Sequence, residues 1–127
     1  MKSMQLNKAS NEHTITVCEG DQEVLLIHKS PRYIYSEFLS TPPSFVSKGL
    51  TRMLAPDRIT LETYYTFLEG RVISKEREDL DIWLERWGLI EWDPEMICTV
   101  THGTKITDRT WLKFDDEDVK YDDVRII

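Results

Sequence analysis

The sequence predicts a small α+β domain: an N-terminal β-hairpin, three short helices, and a late C-terminal strand that returns to a small antiparallel sheet. Strand-like apolar runs lie near both ends of the chain, and the region between residues 60 and 102 has the apolar spacing of helices. A chain of 127 residues, 40% of them hydrophobic, has the size for one core. We therefore expect a disordered or frayed N-terminus over residues 1–12 and a single domain over residues 13–127.

The first predicted element is the hairpin. Residues 14–18 (TITVC) and 23–28 (EVLLIH) are both strand-like, and Gly20 between them can take the positive φ of a tight turn. Residues 32–39 (RYIYSEFL) alternate along the chain and fit either a third strand or an extended arm. Two consecutive prolines then end this stretch, and residues 40–58 are predicted to form the longest irregular connection.

Two amphipathic helices should follow. Thr60 can cap the first and Gly70 can end it. Ser74 is predicted to cap the second, which extends to Trp87, with Gly88 at the left-handed C-terminal position. The apolar stripes of the two helices are Leu61, Tyr64, Tyr65 and Leu68, then Leu80, Trp83, Leu84 and Trp87.

A third helix has the clearest start signal of the chain. Asp93 stands at the cap and Pro94 at the first helical position. The helix should end at His102-Gly103, where an imidazole near the carbonyl end is favourable. A compact apolar strand over residues 110–114 comes next, and residues 121–124 fit one helical turn.

The charge balance bears on the kind of partner. The chain carries 16 basic and 23 acidic residues, a net charge of −7. Because affinity for nucleic acid comes mainly from neutralising phosphates, this balance argues against direct nucleic-acid binding. It permits binding to a protein with a basic surface. The predicted helix over residues 75–87 has five acidic against three basic residues, which also argues against a DNA-reading helix.

The sequence also predicts a cytoplasmic protein without a membrane partner. No apolar run approaches the ~18 residues of a transmembrane helix, and the first residues lack the core of a signal peptide. Cys18 and Cys98 lie far apart and fit reduced thiols better than a disulfide framework.

Cys98 and His102 are the main candidates for chemistry, since they stand four positions apart on one predicted helix. Zinc needs three or four ligands, and the other candidates, His13, Cys18 and His28, lie in or beside the hairpin. We therefore interpret Cys98 as a buried residue and His102 as a helix-end residue. No phosphate-binding loop, Rossmann glycine pattern, nucleophile elbow or zinc-protease helix occurs. We predict no catalytic, cofactor-binding or metal-binding residue.

The segment over residues 115–123 carries six carboxylates, offset only by Lys120. It lacks the alternating ligands and the glycine of a calcium-binding EF-hand loop. Two interpretations stay open: a solvated charge run, or a recognition surface whose aromatic residues anchor a partner while its carboxylates steer toward lysine and arginine. The predicted partner-binding residues are Asp115, Asp116, Glu117, Asp118, Asp122, Asp123, Tyr121 and Trp111.

A resemblance covers about residues 68–124. The matching positions are Arg71-Val72-Ile73, Arg77, Gly88-Leu89, His102-Gly103, Asp108, Trp111 to Phe114, and Tyr121 to Val124. In these positions the chain resembles small, uncharacterised Firmicute proteins, often carried on mobile elements, and a segment found ahead of HipA-like kinase domains. The resemblance covers none of the kinase machinery. It implies a fold unit and a genomic setting, and it does not imply kinase activity.

Three functions remain in competition. The first is a non-enzymatic acidic protein-binding module, encoded by a mobile element or phage, that inhibits a basic host protein such as a nuclease or CRISPR effector, as anti-CRISPR and other anti-defence proteins do. The second is an accessory or antitoxin-like regulatory domain that acts with a HipA-like kinase. The third is an unrecognised small enzyme, which would need a concave pocket with a strongly perturbed titratable group.

Overall fold

The structure, a computed structural model, describes residues 12–39 and 52–125. Its strands are β1 (His13–Glu19), β2 (Gln22–Lys29), β3 (Ile34–Phe38) and β4 (Thr110–Phe114). Its helices are α1 (Leu61–Glu69), α2 (Leu80–Trp87), α3 (Pro94–Thr101) and α4 (Tyr121–Val124). The α+β class is confirmed, whereas the frayed N-terminus predicted over residues 1–12 falls almost wholly outside the described residues. Within the predicted irregular connection, residues 52–54 are helical.

The four strands form one antiparallel sheet in the order β3-β2-β1-β4. Gly20 supplies the predicted positive φ, +57°, in the β1–β2 turn. The late strand β4 returns to the sheet beside β1, with Val17 opposite Leu112. The stretch that fitted a strand or an arm is strand β3, which pairs with β2.

The core lies between one face of the sheet and the helices. Side chains from β1, β2 and β4 pack against α1 and α3, and Tyr64 and Leu68 of α1 are fully buried. Gly103 approaches β4 so closely that a Cβ there would lie 3.3 Å from the Leu112 side chain. The buried residues of this cluster are Ile15, Val17, Val24, Leu25, Ile27, Leu54, Tyr64, Leu68, Cys98 and Leu112.

Local capping signals predicted five helix ends correctly, including Gly70 after α1 and His102 after α3. The Thr60 hydroxyl accepts a hydrogen bond from the backbone N–H of Thr63 at 3.0 Å. Asp93 accepts bonds from the backbone N–H groups of Glu95 and Met96. Gly88 ends α2 in the left-handed conformation, with φ +74°.

The predicted start of α2 at Ser74 is wrong, because the helix begins at Leu80 after Asp79. The Ser74 hydroxyl instead accepts a bond from the backbone of Glu76 within a turn. The run between residues 75 and 79 has no apolar side chain that could hold a helical turn against the core. Of the predicted stripe of α2, only Leu84 is buried; the two tryptophans are partly exposed.

Candidate functional site

The acidic segment, residues 115–123, begins as an extension of the sheet. The backbone N–H of Asp115 donates to the Thr14 carbonyl at 2.7 Å, and its carboxylate accepts from the Thr14 N–H at 3.1 Å. His13 Nδ1 lies 3.3 Å from the other carboxylate oxygen. Asp115 has φ +55°, so the chain turns sharply here and leaves the direction of β4. This carboxylate therefore fixes the first residue of the segment to β1.

Glu117 fixes the next part of the acidic segment to β4 and to the end of α3. One of its oxygens accepts from the Phe114 N–H at 2.8 Å, and the other lies 3.0 Å from His102 Nε2. His102 in turn accepts a bond from the Leu112 N–H through its carbonyl oxygen, at 2.8 Å. The imidazole predicted at the helix end is present, and its partner is a carboxylate of the acidic segment.

The remaining four carboxylates divide into two groups. Asp123 accepts from the backbone N–H of Lys120 at 2.9 Å and so caps α4, and Asp122 forms a surface ion pair with Arg125 at 3.5 Å. Asp116 and Asp118 are exposed and form no hydrogen bond or ion pair within the part of the chain that is described. The acidic segment is therefore an ordered surface loop, held by three of its carboxylates, with other acids projecting from it.

Trp111, one of the predicted partner-binding residues, is buried in the structure. Its side chain lies under the acidic segment and is only 2% exposed, and its indole N–H donates to the Gly20 carbonyl at 2.7 Å. Trp111 therefore belongs to the packing of β4 on the hairpin turn. Tyr121 covers it, with 6.4 Å between the ring centroids, and remains partly exposed.

The two cysteines are poor candidates for nucleophiles. Both are free and buried, and burial raises the pKa of each thiol to about 12. Because the thiolate is the reactive form, little of it exists near neutral pH. Cys98 lies in the core, whereas His102 points to Glu117, so the two residues do not form a pair. Within residues 12–39 and 52–125, no group of three His, Cys, Asp or Glu side chains is placed to hold a metal ion.

A partly buried polar network that the sequence did not predict joins β2, α1 and α3. Lys29 Nζ lies 3.2 Å from Glu95, and the Tyr64 hydroxyl donates to the same carboxylate at 2.7 Å. Burial and the Glu95 charge raise the pKa of Tyr64. Burial lowers the pKa of Lys29, but its hydrogen bonds with Tyr65 and Glu95 and the charge of Glu95 raise it overall. Because Glu95 of α3 binds both Lys29 of β2 and Tyr64 of α1, the network cross-links three elements.

The Arg71 guanidinium forms a second polar cross-link that sequence reasoning did not derive. It binds both carboxylate oxygens of Asp108, at 2.7 and 2.8 Å. It also donates to the carbonyls of Gly103 and Thr110, at 2.8 and 2.7 Å. Its donors thus hold the connection between α3 and β4 against the end of α1.

Three surface depressions accompany these features. An apolar groove of about 600 Å³ lies between α2, α3 and α4, with Trp83, Trp87 and Val100 in its wall. A cleft of about 500 Å³ beside the acidic segment is lined by charged residues of the hairpin turn and β4 and by Tyr121. A third, of about 410 Å³, lies on the other side of Tyr121 and is lined by the turn over residues 105–109 and by Arg125.

In comparisons with protein-family models, curated proteins and solved structures, nothing matches this chain. Among the described residues, no helix has the length and apolar character needed to span a bilayer.

Proposed function

We propose that this protein is a non-enzymatic, acidic protein-binding module that binds and inhibits a basic host protein in the anti-CRISPR or anti-defence manner. The observation that carries the proposal is the division of roles within the acidic segment. Asp115, Glu117 and Asp123 hold its backbone in place, while Asp116 and Asp118 extend into solvent from fixed positions.

Such an arrangement favours recognition of cations. A flexible acidic tail would lose conformational entropy on binding, whereas an ordered loop has already lost it on folding. Exposed charges of this kind steer a basic partner and set its orientation more than they add affinity. In the adjacent cleft, Asp21 and Glu23 lie beside Lys113 and Lys120, and Glu23 pairs with Lys113, so the proposed acidic surface is centred on Asp116 and Asp118.

Several groups among the described residues have shifted pKa values. General acids and bases need pKa values close to the working pH. The shifted groups here move away from neutral pH: burial raises the pKa of both cysteines and of Tyr64, and the pKa of Lys29 is also raised. The hydrogen bond with Glu23 and the Glu23 charge outweigh burial and raise the pKa of Lys113. The two buried free thiols also fit a reducing cytoplasm.

The test is a pull-down with tagged protein from a Firmicute lysate, at low and at moderate salt, followed by mass spectrometry. The double variant Asp116→Lys/Asp118→Lys should fold as the wild type does and retain less of a basic nuclease or CRISPR effector. The matched control, Glu76→Lys/Glu91→Lys, makes the same charge change at two other exposed positions. Equal retention by the wild type and the first variant, or equal loss in the control, would contradict the proposal.

A second candidate is the accessory domain of a HipA-like kinase, and one observation favours it. Arg71, Asp108 and His102-Gly103, which are among the positions of the resemblance, hold the connection between α3 and β4. A shared fold unit would place matching residues at such positions. Retention of a kinase by wild type and by Asp116→Lys/Asp118→Lys alike, at both salt concentrations, would favour this function over the first.

A further inference from the structure

The cleft bounded by residues 105–109, Tyr121 and Arg125 has the opposite charge to the rest of the molecule. Lys105, Arg109 and Arg125 line it, in a chain whose net charge is −7. Its one lining carboxylate, Asp108, is already engaged by both terminal nitrogens of Arg71. This concave surface is therefore cationic, and the acidic protein-binding surface does not account for it.

Arg109 is positioned in this cleft without a hydrogen-bond acceptor. Its guanidinium carbon lies 5.3 Å from the centre of the Tyr121 ring, within the range of a cation–π contact. The same group lies against Gly20, where a Cβ would come within 2.4 Å of a guanidinium nitrogen. Its side chain makes no hydrogen bond or ion pair within the described residues. The guanidinium is thus held by the ring and the hairpin turn while its donors stay available.

The other two cations of the cleft also keep donors for a ligand. Lys105 Nζ donates to the Gly70 carbonyl at 3.0 Å, which uses one of its three donors, and its charge also acts on Asp108, whose carboxylate is already bound by Arg71. Arg125 pairs with Asp122 at 3.5 Å, and both side chains are more than half exposed, so solvent screens this pair strongly.

We propose that this cleft binds a phosphoryl group, with Arg109 as the main ligand and Lys105 and Arg125 as further cations. A planar guanidinium presents parallel N–H donors to two oxygens of a phosphate, and an ammonium supplies a point charge to a third. A carboxylate has only two oxygens and one charge, so it would satisfy this set of donors less well. The site has the opposite charge to the acidic segment and does not depend on the proposed protein partner.

The experiment is an NMR titration of the ¹⁵N-labelled full chain at constant ionic strength. The three ligands are inorganic phosphate, pyrophosphate and acetate. We expect saturable amide shifts over residues 105–109 with phosphate and pyrophosphate, and weaker binding of acetate. A fourth titration uses a nucleoside monophosphate and compares its affinity with that of inorganic phosphate. Weaker binding of the nucleotide indicates a site for free phosphate, and tighter binding indicates a site for a phosphorylated small molecule.

Two variants test the assignment to Arg109. Arg109→Gln should weaken phosphate binding at least about tenfold, because charge-assisted hydrogen bonds are lost. Gly20→Ala keeps every charge but displaces the guanidinium, and it should weaken binding as well. Arg58→Gln, at an exposed arginine outside the cleft, is the matched control and should leave binding unchanged. Thermal unfolding of each variant shows that it is folded.

Shifts that grow linearly with phosphate, acetate binding as tight as phosphate binding, or equal phosphate affinity of the wild type and Arg109→Gln would overturn the proposal. None of these outcomes bears on protein binding by the acidic segment, so either proposal can fail without the other.

Discussion

Arg71 and Asp108 form a two-point ion pair between the end of α1 and the connection that leads into β4, with nitrogen–oxygen distances of 2.7 and 2.8 Å. The Arg71 side chain is 9% exposed, and its remaining donors bind the carbonyls of Gly103 and Thr110. These bonds, with that of Lys105 to the Gly70 carbonyl, attach the 103–110 connection to the end of α1, just before β4 pairs with β1.

Arg71→Ala should therefore lower the free energy of unfolding by about 2–4 kcal/mol. Breaking a fully buried ion pair costs about 3–5 kcal/mol, and Asp108, which is 37% exposed, reduces that cost. Arg71→Lys keeps the charge but loses the fork geometry, so it should recover only part of the loss. Urea unfolding measures both variants, and a loss below about 1 kcal/mol in Arg71→Ala would mean that the pair contributes little.

The Arg71–Asp108 pair should make the free energy of unfolding depend on pH in the acidic range. Burial alone would raise the pKa of Asp108, but the hydrogen bonds and charge of Arg71 lower it below its usual value. A lowered folded-state pKa means that the carboxylate stabilises the fold above the unfolded pKa of about 3.9. This stabilisation is lost as the pH falls through the folded-state value. Asp108→Asn should therefore be less stable than wild type at pH 7.

The measurement that checks this linkage is urea unfolding of the two proteins between pH 7 and pH 2. The stability difference between them should shrink as the pH falls below about 4, because wild-type Asp108 then also becomes neutral. A difference that stays constant down to pH 2 would contradict the linkage, because it would mean that Asn disturbs the fold by some route other than its missing charge.

Variants of Trp111 test whether its indole is part of the core. Trp111→Ala should cost about 3–5 kcal/mol, since it removes a buried aromatic side chain. Trp111→Phe should cost less, about 1–3 kcal/mol, mainly because the Gly20 carbonyl loses its donor. Chemical denaturation gives both values. If Trp111→Ala were as stable as wild type, the indole would not be part of the core.

The buried thiols predict slow chemical labelling. Burial raises the pKa of Cys18 and Cys98 to about 12, so both should react with iodoacetamide at pH 8 only through opening of the structure. In urea both should react rapidly. Mass spectrometry over time measures the two rates, and labelling of either residue in native buffer as fast as in urea would show that its thiol is accessible.

The elements that the sequence predicted well depend on neighbouring residues. Gly20, Thr60 and Asp93 mark a turn and two helix starts through local backbone chemistry, which a sequence displays directly. Ser74 misled because a serine before a charged run resembles a cap, whereas α2 begins only where Leu80 can face the rest of the domain. A local sequence pattern therefore predicts the existence of a helix more reliably than the residue at which the helix begins.

The candidate site was harder to predict, because it depends on long-range contacts. Six carboxylates within nine residues give no indication that Glu117 binds the imidazole of His102 while Asp118 stays exposed. Trp111 was predicted as an anchor because aromatic residues serve both cores and interfaces, and only the tertiary structure places it under Tyr121. The Arg71–Asp108 pair spans 37 residues in sequence, beyond the reach of any periodic pattern.

The most direct test of the acidic recognition surface is the affinity of the basic protein recovered in the pull-down. Biolayer interferometry should be run with wild type, Asp116→Lys/Asp118→Lys and Glu76→Lys/Glu91→Lys at two salt concentrations. We expect the first variant to bind about tenfold or more weakly at low salt, mainly through slower association, with the difference shrinking at higher salt. Equal affinity of all three proteins at low salt would contradict the account.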